Sequence, residues 1–333
     1  MTDNQQVNLN KKGLVYISLG FMLSLFSSCD KQELPVPAHE AGDVITGSVS
    51  MKSDYRYQLF FDLEKKIVIK QNLKTDWDLA FEANGNHVIL NTAKAMLAVN
   101  TQKVEFSAVP STEGLSFIWD ETSGNLDSTA ISDWEGKKNV YVIDRGYDES
   151  GLHLGYKKII FQLVDNTGYS ISFANLDGTD SVSYQIPKDD RYNFTFFSLE
   201  GEGSIEYIEP PKEDWDIEFT QYTNIFYDQD PPLPYLVTGV SINREKVEVS
   251  KVFDKTFEEI TLSDASDYVF SSSINVIGYD WKFYSFSVGK YTVDSKQNYL
   301  IRSSKGKYYK LHFIDFYDTF GEKGTPQFEF QEL

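Results

Sequence analysis

An all-β fold of antiparallel sheets is what this sequence predicts, on three observations. Short runs alternate apolar and polar residues with period two: Lys66-Ile67-Val68-Ile69, Val140-Tyr141-Val142-Ile143, Lys158 through Val164, Val247-Glu248-Val249, and Tyr308 through Phe313. Turn-forming clusters separate them: Asn84-Gly85-Asn86, Asp165-Asn166-Thr167-Gly168, Asp177-Gly178-Thr179-Asp180 and Ser303-Ser304-Lys305-Gly306. No stretch keeps the 3.6-residue apolar spacing of an amphipathic helix, and the chain is dense in Tyr (21) and Phe (24).

The first residues predict export. Lys11 and Lys12 precede an apolar run from Gly13 to Phe26, followed by Ser27-Ser28-Cys29. A cationic flank, a short apolar core and small residues before a cut site describe a secretory signal over 1–28. The run falls short of the roughly 20 apolar residues a transmembrane helix needs. Cys29 is the only cysteine and stands where bacterial lipoproteins carry their diacylglyceryl thioether. A lone thiol makes no intrachain disulfide, so lipidation accounts for it. Residues 29–43 are polar, carry two prolines and read as a tether. The expected location is the outer membrane, surface-exposed or facing the periplasm.

Charge narrows the function. Removing Lys11, Lys12 and Asp3 with the leader takes the net charge from −19 to −20. Nucleic acid needs a basic footprint, and anionic lipid needs basic residues, so both are excluded as electrostatic partners. Membrane attachment falls to the acyl chain alone.

An internal repeat organises the rest. Tyr57-Gln58-Leu59-Phe60-Phe61 leads to Asp76-Trp77-Asp78-Leu79-Ala80-Phe81, and Tyr192-Asn193-Phe194-Thr195-Phe196-Phe197 leads to Asp214-Trp215-Asp216-Ile217-Glu218-Phe219. Near the ends, Tyr156, Lys158 and Phe161 match Tyr308, Lys310 and Phe313. Two related β units over 44–187 and 188–333 are expected, as separate bodies or sharing one sheet. In each Asp-Trp-Asp segment, alternation would put Trp, Leu or Ile and Phe on one buried face and the acids on the other.

The second unit resembles the HmuY-like lipoproteins, exported haem-binding proteins of the Bacteroidetes. The residues that carry the resemblance are Tyr192–Phe197, Asp214-Trp215-Asp216-Ile217, Phe283-Tyr284-Ser285-Phe286, and the closing segment from Tyr299 through Phe328-Glu329-Phe330. The resemblance implies an all-β fold that closes on haem and passes it to a TonB-dependent outer-membrane receptor. One family iron ligand falls where this chain reads Tyr284-Ser285-Phe286-Ser287, and the other in a stretch that includes Val247–Asp267. Neither segment holds His or Met, and no Met follows Met96.

Haem ligation draws on His, Met, Cys or Tyr. With His39 in the tether, the candidates are His87 in a turn, Met96, and His153 in a loop. Tyr222, Phe226, Tyr227 and Tyr235 bracket the proline-stiffened Asp228–Pro234 and form a candidate binding loop. No G-x-S-x-G, H-E-x-x-H or phosphate-cradling glycine loop occurs, and no metal-ligand spacing, so no enzyme is expected. Three functions remain in order: haem capture, an adhesion or accessory module of the same fold without haem, and a carboxylate-dependent hydrolase.

Overall fold

The computed structural model describes residues 40–164 and 167–333. The leader, Cys29, His39 and most of the tether lie outside the described residues. Within them the regular elements are strands and short 3-10 turns. In the first repeat the strands are β1 (Ile45–Ser48), β2 (Tyr57–Asp62), β3 (Ile67–Leu73), β4 (Leu79–Glu82), β5 (Val88–Leu90), β6 (Leu97–Asn100), β7 (Tyr141–Asp144), β8 (Tyr156–Val164) and β9 (Gly168–Asn175). The second has β10 (Val182–Pro187), β11 (Phe194–Ser198), β12 (Ser204–Glu206), β13 (Ile217–Phe226), β14 (Leu233–Ile242), β15 (Glu248–Val252), β18 (Asn298–Arg302), β19 (Tyr308–Tyr317) and β20 (Lys323–Glu332). An extra hairpin, β16 (Lys282–Ser285) and β17 (Lys290–Val293), is inserted before β18.

The pairing is antiparallel and exchanges strands between the repeats. One five-stranded sheet runs β10-β9-β8-β7-β6 and the other β1-β20-β19-β18-β15. The four-stranded sheets run β12-β11-β4-β5 and β3-β2-β13-β14. β1 and β10 therefore each sit in a five-stranded sheet otherwise built by the other repeat, while β2 with β3 and β11 with β12 each share a four-stranded sheet equally with it. By strand order the second copy begins with β10, ahead of residue 188, and residues 41–333 form one compact unit.

Strand alternation then stacks the sheets. On β2, Leu59 and Phe61 enter the core shared with β13, β14, β18, β19 and β20, while Phe60 turns the other way. On β11, Phe197 enters the core of the first five-stranded sheet, while Phe194 and Phe196 turn away. A third core, holding Phe60, Trp77, Phe194, Phe196 and Trp215, joins the two four-stranded sheets. The result is four layers with three apolar seams.

The Asp-Trp-Asp segments correct the simple alternation. The strands begin only at Leu79 and Ile217, so each Trp precedes its strand and packs in the central seam, away from the core that takes Leu79 and Phe81 or Ile217 and Phe219. The second acid of each segment is buried, Asp78 at 0 % and Asp216 at 1 % exposure. Each closes the exchange in the same way. Asp78 N donates to Phe197 O and Asp216 N to Phe61 O, both at 2.9 Å. The carboxylates accept from Leu199 N at 2.6 Å and Leu63 N at 2.8 Å. Asn91 and Asn243 brace the pair: each donates its backbone N–H to the acid's carbonyl at 2.9 Å and its amide to the carbonyl of Trp77 or Trp215.

The two acids differ in charge balance. Burial pushes Asp78 up, yet Lys94 and Arg145 on its oxygens outweigh burial and hold it below the usual range. Burial also pushes Asp216 up, and the N–H groups of Ser304 and Leu63 oppose this only in part. Neutralising Asp78 leaves a wholly buried Lys94 without its counter-charge, a loss of about 3–5 kcal/mol. Asp78→Asn should therefore destabilise by about that amount in urea unfolding, and Asp216→Asn by about 1–3 kcal/mol, the cost of imperfectly satisfied buried donors. Equal losses would contradict the assignment of charge to Asp78.

Candidate functional site on two aromatic hairpins

The longest hairpin, β13–β14, pairs Ile217 with Ile242 and runs to Phe226 opposite Leu233. Its base is core and its tip is open. Tyr222 is buried at the base, so of the four loop aromatics it alone turns inward. Tyr227 is exposed and its hydroxyl donates to Glu121 at 2.5 Å. Tyr235 is 61 % exposed and meets Phe226 edge-on at 6.4 Å, and Phe226 meets Tyr279 at 6.2 Å.

The second hairpin, β16–β17, turns through Ser285–Gly289, where Gly289 supplies the left-handed φ of +70°. Phe283 is 55 % exposed, Phe286 91 % and Val288 62 %. Tyr284 meets Phe286 at 5.2 Å and Tyr291 at 5.3 Å, and Tyr291 meets Phe316 at 5.1 Å. Phe316 in turn stacks on Tyr55 at 6.0 Å. The phenols of Tyr235, Tyr291 and Tyr317 all lie close enough to Tyr55 to help raise it, after burial, which is the main cause. The two hairpins thus each expose aromatic side chains, Tyr235 on one and Phe283, Tyr284 and Phe286 on the other. Monomeric surfaces rarely expose large contiguous apolar area without a partner for it.

A buried cation supports this face. Lys282 is 7 % exposed, with Nζ 4.3 Å from the Trp281 ring and 4.7 Å from that of Phe316. It donates to Thr238 O on β14, tying one hairpin to the other. Burial pulls its pKa down to about 7, against the opposing pull of Asp280.

The sequence-predicted ligands lie elsewhere. His87 Nδ1 is held by Glu82 at 2.5 Å in the β4–β5 turn. His153 Nε2 is held by Asp144 at 2.8 Å, its ring between Tyr147 and Tyr156 at 5.2 and 5.1 Å. Met96 is 2 % exposed in the core beside Leu90, Ala98 and Ile143, filling space rather than facing a ligand. No ring contact or hydrogen bond among the described residues joins any of these to the aromatic face. Among the described residues, no three His, Cys, Asp or Glu side chains converge as metal ligands. Sequence reasoning placed Phe283-Tyr284-Ser285-Phe286 in the family resemblance but did not name Phe283, Phe286 or Val288 as candidate binding residues. The available signal was apolar residues flanking Ser285 and Ser287 with no buried-face alternation.

Lys282 gives this site a pH signature. Its unfolded pKa of about 10.4 exceeds the folded value. Between about pH 7 and 10 the unfolded chain binds the extra proton, so stability rises with pH in that window and is flat for this group below it. Lys282→Met should reduce the slope of stability against pH between 7 and 9 by up to about 1.4 kcal/mol per unit, read from urea melts. An unchanged slope would mean that Lys282 is not held in that environment.

A family model described as HmuY protein matches residues 54–330. Among solved structures, apo PinO from Porphyromonas gingivitis is 11 % identical, with 87 % of this chain and 97 % of that one covered and a TM-score of 0.33. The Tannerella forsythia apo HmuY analog (TFO) is 9 % identical, with coverages of 88 % and 98 % and a TM-score of 0.32. No curated protein matches. The match along 54–330 spans most of the sequence, and on it the chain belongs to the HmuY family.

Proposed function

We propose that this protein is a lipid-anchored binding protein of the cell envelope that captures haem on the aromatic face of its two hairpins. The observation that carries this reading is the chain of ring contacts from exposed Phe286 and Tyr284 through half-buried Tyr291 to buried Phe316, which anchors the exposed rings on the core. Exposed aromatic rings held in place by edge-on neighbours offer a flat macrocycle large contact area at low conformational cost. The face holds no His or Met, so a tyrosine phenolate is the iron donor it can offer, and the 45 % exposed Tyr284 is the residue assigned to it. Lys290, exposed on β17, suits a propionate carboxylate. The acyl chain on Cys29 would hold the protein at the membrane, and a TonB-dependent outer-membrane receptor would take the cargo onward. The same missing His and Met favour a second reading, an adhesion or accessory module that uses this face without iron.

Haemin titration of the purified protein separates the two. Capture predicts a Soret shift saturating at one equivalent, lost in Tyr284→Ser/Phe286→Ser and retained in His87→Ala, Met96→Ala and His153→Ala. A spectrum identical to free haemin leaves the second reading. Loss on replacing His87 or His153 would move the iron away from the hairpins.

A further inference from the structure

Between the two four-stranded sheets lies a chamber of about 130 Å³. Its walls carry two equivalent aromatic pairs: Phe60 against Trp215 at 5.0 Å and Phe196 against Trp77 at 4.8 Å, both edge-on. The equivalence fails at one atom. Trp77 Nε1 donates to Gln58 Oε1 at 3.0 Å. In the other repeat Phe194, three residues before Phe197 as Gln58 is before Phe61, occupies Gln58's place. Trp215 is 4 % exposed and its Nε1 has no hydrogen-bond partner. A buried donor left unsatisfied is costly, so Trp215 Nε1 favours any acceptor that reaches it.

Other groups around the chamber are similarly uncommitted. Arg244 is half-buried beside the Phe194 ring at 5.2 Å and donates through Nη1 to Gly124 O at 2.6 Å, yet no ion pair among the described residues includes it. Asn193 is 2 % exposed and its Oδ1 has no partner. Glu218 receives a single hydrogen bond, from Gln58 Nε2 at 3.0 Å, and burial, with Glu209 nearby, pushes its carboxyl up to about 8, so a ligand ammonium would draw it into its charged form. The neighbouring acids are spent on structure: Glu209 accepts from the backbone of Asn193 and Phe194, and Asp120 from that of Leu90 and Ala130. The chamber thus offers two unpartnered groups, the donor Trp215 Nε1 and the acceptor Asn193 Oδ1, and two with capacity to spare, the Arg244 guanidinium and the Glu218 carboxyl.

We infer that this chamber is a second binding site, for a small zwitterion of amino-acid size. Its carboxylate meets Trp215 Nε1 and Arg244, its ammonium meets Glu218 and Asn193 Oδ1, and its carbon skeleton lies against the aromatic walls. Quaternary or primary ammonium groups bind well beside Trp and Phe faces. An apolar cavity of about 150 Å³ takes benzene, so the volume suits a ligand of that bulk. The exposed Asn125 and the half-buried Ile274 and Asn275 stand on its solvent side and give an entrance.

The test is calorimetric titration and tryptophan fluorescence of the purified protein with glycine, L-proline and glycine betaine, with acetate and methylammonium as half-ligands. Saturable binding of at least one zwitterion is expected, with neither half-ligand binding comparably. Glu218→Gln and Trp215→Phe should each weaken it about tenfold, the loss of one charge-assisted contact or one buried donor. Glu218→Gln keeps shape and an acceptor for Gln58, so it remains informative if Trp215→Phe fails to fold. Three results each overturn the inference: no saturable zwitterion binding (ordered water only in the chamber), equal binding of a half-ligand, or undiminished binding in Glu218→Gln.

Discussion

Everything in this molecule hangs on two short junctions where a buried aspartate ends one turn and begins one strand. Asp78 and Asp216 each present a backbone N–H to the aromatic strand of the opposite repeat and a carboxylate to the residue just beyond that strand. The registers repeat too, with Phe61 opposite Ile217 and Phe197 opposite Leu79. Because both partners come from residues well over 100 positions away, neither junction can form until both repeats are present. A backbone group left unpaired in these seams would carry the full cost of desolvation. The exchange is therefore enforced by hydrogen bonding rather than by hydrophobic burial alone.

That constraint also places the two surfaces argued to bind. Strand exchange brings Phe60 and Trp215 into one seam with Phe196 and Trp77, and any mismatch between the repeats shows there as an unpartnered group. The second repeat carries the inserted β16–β17 hairpin and the longer β13–β14, so most of the aromatic face belongs to it. The first repeat supplies Tyr55 to that face through exchange, from the loop before β2. Duplication gives a stiff frame, and departures from it give the sites.

Much of the fold was legible because it is local. Alternation at Lys158–Val164 and Tyr308–Phe313 fell on β8 and β19, and the paired Asp-Trp-Asp segments marked the repeat. Pairing was not legible, since nothing in Tyr57–Phe61 says that its partner is Ile217–Phe219. The tryptophan faces were misjudged for a related reason: alternation applies only inside a strand, and each strand starts two residues after its Trp. The site was half legible. Prolines around Tyr235 marked an exposed loop, but Tyr222 shares its composition and is core, and Phe283 and Phe286 look like core residues until the hairpin is seen to stand clear of it.

The interlock of the repeats is tested most directly by cutting the chain in the turn between β9 and β10. Residues 40–178 and 179–333 would be made as separate chains, and urea unfolding followed for each alone and for the mixture. The exchange predicts no cooperative transition for either piece and recovery of one when they are combined. A cooperative transition in an isolated piece would contradict it, because that repeat would then complete its sheets without its partner's strands.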